Sequence, residues 1–173
     1  MSKYPIERKD DIDLKLISKI IQKVDQMNSK YVDSESDLIF KQQPFLISII
    51  LGYKIDLKPA ELEEVTKLIF LIWEYFKENP KIKTTQVTKS QFERIERKNL
   101  FLIKYYEGET TEKDKMIVLA SNMEHLDSKG LLTAMYLRCN TQIPLAKMEI
   151  STKGILMIGL KSLIECFDEI KNS

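Results

Sequence analysis

From Pro59 to Asn79 the chain is apolar on most sides of a helix, and this stretch constrains the fold more than any other. Leu62, Val65, Ile69, Ile72, Trp73 and Phe76 recur at helical spacing and form one stripe. Leu68, Phe70, Leu71 and Tyr75 add a second flank beside it. A helix with so much apolar circumference belongs in the middle of a bundle, surrounded by other helices. Pro59 suits the first turn, where a missing N–H costs nothing, and Glu61 and Glu63 complement the positive end of the helix dipole. Asn79-Pro80 stops the helix.

The rest of the chain agrees with a helical bundle. Its 173 residues suffice for one domain with a proper core, and 43% of them are hydrophobic, which argues against disorder. Five glycines cannot punctuate an all-β fold or supply several phosphate-cradling loops. The expectation is one all-α domain over residues 1–173. It is a compact bundle of about six or seven helices, with 1–10 as a flexible N-terminal stretch.

Periodicity predicts a first helix from about Ile12 to Tyr31, carried by Ile17, Ile20, Ile21, Val24 and Met27. A short second helix starts near Ser34. Pro44 either interrupts it or opens the next, which ends at Gly52 as a left-handed terminator. Lys81 to Lys89 reads as the internal linker. Thr88 to Gln91 resembles a capping box with Gln91 reaching back, and it opens a helix to about Glu107 that shares the centre with the Pro59 helix. Further helices are expected over Met116 to His125, from Asp127 or Ser128 to about Arg138, and from Ser151 or Thr152 onward. Pro144 predicts an extended Ile143. An alternative makes 84–88 and 142–150 minor short strands.

The helix after Thr88 holds the most informative constellation. Phe92, Ile95, Asn99, Leu102, Ile103 and Tyr106 share one face, with Asn99 near its centre. A buried amide without partners costs about 1 to 3 kcal/mol. Asn99 is therefore either a polar pin that fixes packing register or a ligand contact in a pocket between helices.

The opposite face mixes cations with aromatics: Arg94, Arg97, Lys98, Phe101 and Tyr105. Lys77 to Tyr106 contain eight basic and three acidic residues, a local +5 in a chain of net charge +1. That mixture suits an acidic protein partner or a second copy of the chain. It also suits phosphate contact with base stacking, a nucleic-acid reading that adds Lys81, Lys83 and Lys89. The bland counterpart is a solvated face screened by Glu93 and Glu96. The connection before this helix is too long, and lacks the glycine, for a helix-turn-helix.

Other chemistries find little footing. His125 is the single histidine, which excludes centres needing two or three imidazoles, including the paired Glu-x-x-His motif of bundle di-iron sites. No metal or cofactor is expected. Cys139 and Cys166 are too few for a disulfide framework, although Arg138 would lower the Cys139 thiol pKa if the two groups are close. There is no nucleophile elbow, phosphate loop or dinucleotide fingerprint, so the balance leans away from an enzyme. Gly159 would let a second backbone approach, from an internal helix or a dimer partner.

No apolar run approaches the roughly 20 residues that span a bilayer, and the N-terminus has no apolar signal core. A cytoplasmic protein with no membrane partner is expected. The functional expectation is a helical interaction or scaffold module that binds a protein partner or itself through the basic-aromatic face. A nucleic-acid-associated regulator using that face is the first alternative. An enzyme or small-molecule binder with a pocket at Asn99 is the second.

Overall fold

A computed structural model describes residues 8–108 and 126–173, with side chains from 13 to 104 and from 126 onward. The helices are α1 (Arg8–Asp25), α2 (Ser29–Gln42), α3 (Pro44–Tyr53), α4 (Pro59–Phe76) and α5 (Pro80–Thr84). They continue as α6 (Lys89–Gly108), α7 (Lys129–Thr141), α8 (Ile143–Ala146) and α9 (Ile150–Asn172). The all-α expectation holds, and no strand occurs among the described residues. Neither candidate strand forms: 85–88 is an irregular connection after α5, and 142–150 is taken up by α8 and the start of α9. The predicted helix over Met116 to His125 lies outside the described residues.

Local chemistry moves several boundaries. The predicted first helix breaks at Asn28, whose side chain accepts the Tyr31 backbone N–H at 2.9 Å and caps α2. Tyr31 therefore belongs to α2, and α1 reaches back to Arg8. Gly52 terminates nothing: α3 continues through Tyr53, and no described glycine has a positive φ. Pro44 does open α3, and Pro59 opens α4 with Glu61 accepting the Lys58 N–H at 2.9 Å. Ile143 is helical, not extended, because Pro144 sits in a first turn whose N–H groups have no helical acceptor. The extended residue is Gln142, one position earlier.

α4 is central, as its sequence requires. It packs on α1, α3, α7, α8 and α9, and its residues from Leu68 to Trp73 are all buried. The second central element is α9 and not α6. Leu156, Leu160, Leu163, Ile164, Cys166 and Phe167 of α9 are buried, and Phe167 stacks on Phe76 of α4 with ring centroids 4.9 Å apart. α6 buries only Ile95 and Asn99 among its described side chains, and lies along α9 at the edge of the bundle. Its apolar stripe is narrower in three dimensions than on paper, since Ile103 is exposed and Phe92 half-buried against Phe45.

Polar pins set the register of this core. The amide of Gln43, fully buried, donates to the carbonyls of Ile82 and Thr85 at 2.7 and 2.8 Å and accepts from Val87 N–H at 2.9 Å. It thereby satisfies the backbone of the connection between α5 and α6. Trp73 Nε1 donates to Glu35 at 2.7 Å, and Lys77 bridges Glu35 and Glu74 at 2.9 and 2.7 Å. Lys23 and Tyr31 also donate to Glu74, joining α1, α2 and α4 in one network. Gly130 lets α7 approach α1: a Cβ there would meet the Asp13 carboxylate and Ile17.

Candidate functional site

The α6 region is built from its N-terminus. Thr88 Oγ1 accepts the Gln91 N–H at 3.2 Å, which supplies one half of the expected capping box. The other half is absent, because the Gln91 side chain turns to α9. It donates there to the Cys166 carbonyl at 3.3 Å and to Glu169 at 3.1 Å. Arg94 reaches the same Glu169 at 2.6 Å. These bonds fix how α6 is rotated against α9 and therefore which residues it turns outward.

Asn99 faces inward and is 2% exposed. Its Nδ2 donates to Ser162 Oγ and to Glu165, both at 2.9 Å, and its Oδ1 accepts from Lys161 Nζ at 2.7 Å. Lys161 also pairs with Glu165. The amide is thus a satisfied polar pin. It also borders a cavity of about 600 Å³ between α6, α7 and α9. Ile103, Leu132, Tyr136, Met157 and Ile158 supply much of the cavity's apolar wall. Lys153 and Lys161 bring two ammonium groups to it. Burial lowers the Lys161 pKa, and the bond to Glu165 offsets only part of that effect.

Cys139 also lines the cavity, and the nearby Arg138 charge lowers its pKa only slightly against a larger effect of burial. Burial pushes the thiol up to about 11, and the nearby charges of Lys153 and Arg138 recover little. The Arg138 guanidinium is committed elsewhere, to Asp25 at 2.6 Å and Glu64 at 3.1 Å. Burial likewise raises Cys166 to about 12. Both thiols are protonated at neutral pH and are poor nucleophiles.

On the outer face of α6, Phe101 is 68% exposed, with Arg97 and Lys98 exposed beside it. Arg97 Nε donates to its own helix at the Glu93 carbonyl, 3.1 Å away. Tyr105 lies outside the described side chains. The lysines of the nucleic-acid alternative are engaged with the chain itself. Lys81 donates to the carbonyls of Lys171 and Ser173, Lys83 pairs with Glu78 at 3.0 Å, and Lys89 with Glu93 at 3.6 Å. Gly159 faces a side chain and not a backbone, since a Cβ there would meet the Tyr53 hydroxyl of α3.

Sequence reading missed a counterpart on α2. Asp33, Asp37 and Phe40 are all exposed, and Phe40 reaches 70%. Their spacing of four and three residues places them on one helical face, and Arg94, Lys98 and Phe101 have the same spacing. The signal was present in the sequence, but it required α2 to start at Ser29 instead of Ser34.

Among the described residues no three His, Cys, Asp or Glu side chains gather as metal ligands, and His125 lies outside them. No described helix is long and apolar enough to cross a membrane. No protein-family model matches the chain, and neither the curated proteins nor the solved structures contain a significant match. The functional reading therefore rests on the geometry of the chain itself.

Proposed function

We propose that this protein is a helical interaction module whose basic-aromatic face on α6 binds an acidic-aromatic helix, and that a second copy of the chain supplies one through α2. The observation that carries this reading is the matched spacing. Asp33 and Asp37 precede Phe40 by seven and three residues, as Arg94 and Lys98 precede Phe101. Opposite charges at equal offsets set register and orientation, while the two phenylalanines bring rigid apolar area. Arg97 widens the positive side, and Lys41 limits the negative one.

The two faces lie on different helices, so two copies can meet reciprocally about a two-fold axis, each α6 on the other's α2, or head-to-tail. The first arrangement closes as a dimer, and the second gives rings or open chains. Exposed ion pairs contribute about 0.2 to 1 kcal/mol each, so the association is weak and salt-sensitive. The lysines that a nucleic-acid reading adds, Lys81, Lys83 and Lys89, have acceptors within the chain, as Arg94 has in Glu169, so that reading gains no free cation from them.

Sedimentation velocity over protein concentrations up to about 1 mM, where an association of about −4 kcal/mol is half complete, tests the reading. The expected result is a sedimentation coefficient that rises with concentration and falls back when salt is added. A concentration-independent monomer across that range overturns self-association.

A further inference from the structure

The cavity between α6, α7 and α9 is independent of the outer faces and has its own chemistry. Its volume, about 600 Å³, lies within the range of small-molecule sites, which pair an apolar wall with a few convergent polar groups. The described residues that line it include two lysines and no carboxylate. Those lysines differ. Lys161 is committed to Glu165 and to the Asn99 carbonyl oxygen, so the Asn99 end of the cavity is closed by a neutralised network. Lys153 makes no ion pair with a described residue; its ammonium donates to the Ala146 carbonyl at 3.0 Å and keeps further donors to offer.

Lys153, Met157 and Lys161 are spaced four residues apart on α9, so they line one face of that helix, with Met157 and Ile158 between the cations. Gly154 lies in the same wall, and a Cβ built on it meets nothing within 4 Å. A single charged end at Lys153 with an apolar path along Met157 and Ile158 is complementary to an amphiphile, and it offers nothing to a second charge.

We propose that this cavity binds an amphiphilic organic anion, its carboxylate held by Lys153 and its apolar body lying along Met157, Ile158 and Leu132. Burial of the apolar body supplies most of the affinity, and the ammonium selects for the anion over an uncharged chain of the same length.

Isothermal titration calorimetry of the full-length chain with decanoate and with decanol, both below their aggregation limits, tests this. The expected result is saturable binding of one decanoate per chain, with decanol weaker. Lys153→Gln should weaken decanoate by about tenfold or more and leave decanol unchanged, the loss of one charge-assisted contact. Gly154→Phe should weaken binding of both, since Gly154 lines the cavity and no atom within 4 Å of its Cβ turns the ring away from it. Gly154→Leu provides the same test with a smaller side chain if the first variant does not fold, and circular dichroism checks both. Absence of saturable decanoate binding overturns the proposal. So does binding that neither Lys153→Gln nor the Gly154 variants alter, which would place the ligand elsewhere. Neither result depends on whether copies of the chain associate through α2 and α6.

Discussion

Phe40 and Phe101 are the two exposed phenylalanines of the seven in the chain, at 70% and 68%, and each follows a pair of like charges on its own helix. The charges before Phe40 are negative and those before Phe101 positive. Neither ring contributes to the core. Phe40→Ala and Phe101→Ala should each shift thermal stability by no more than a surface substitution does, about 0.5 kcal/mol. Each should nonetheless reduce concentration-dependent sedimentation. Equal loss of stability and association would instead mark the rings as structural.

Asn99 gives the contrasting case. Asn99→Leu removes a donor to Ser162 and Glu165 and the acceptor for Lys161, leaving a half-buried ammonium with one partner fewer. The expected loss is about 1 to 3 kcal/mol in urea denaturation. The midpoint should fall with little change in slope, because the surface exposed on unfolding is the same.

Acid should act in part through Glu74. Burial raises its pKa, but bonds from Lys77, Tyr31 and Lys23 outweigh burial and hold it below its ordinary value of 4.5. A carboxyl whose folded pKa is depressed contributes stability above its unfolded pKa, and that contribution is lost as pH falls through the folded value. Stability measured by denaturant should therefore be flat near neutrality and decline below about pH 4.5. Glu74→Gln should be less stable at pH 7 and show a shallower decline in acid. An unchanged acid limb would remove Glu74 from the account.

The two cysteines should be silent in the native state. Burial raises Cys139 to about 11 and Cys166 to about 12, and neither is exposed. A thiol reagent at pH 7.5 should modify both only at the rate at which the protein opens, and at full speed in denaturant. Rapid labelling of one native thiol would contradict the burial described here.

The centre of the fold was legible in the sequence because α4 is apolar on too many sides to sit anywhere else. The position of α6 was not legible. Its stripe of Phe92, Ile95, Asn99, Leu102 and Ile103 satisfies helical periodicity, yet periodicity does not say how wide a neighbour will cover it. Among the described residues α9 covers most of it and Phe45 of α3 meets Phe92, while Ile103 is left exposed. The satisfied state of Asn99 was anticipated in kind, but its partners on α9 lie more than 60 residues away, beyond any local pattern. The Cys139 pKa was beyond local reading for a similar reason: Arg138 does lower it, but burial, which sequence does not show, outweighs that effect. Adjacency to Arg138 in sequence gives no information on which carboxylates claim the guanidinium. The acidic face of α2 was hidden by a helix start placed five residues late, where Asn28 and not Ser34 carries the cap.

Mixing two charge-reversed variants tests the central claim most directly. Arg94→Glu/Lys98→Glu alone and Asp33→Lys/Asp37→Lys alone should each sediment as a monomer, since each then presents faces of like sign. An equimolar mixture should associate again, because every α6 face in it finds an α2 face of opposite charge on the other variant. Restored association in the mixture, suppressed by salt, is the predicted result. A mixture that stays monomeric while the wild type associates would contradict the pairing of α6 with α2.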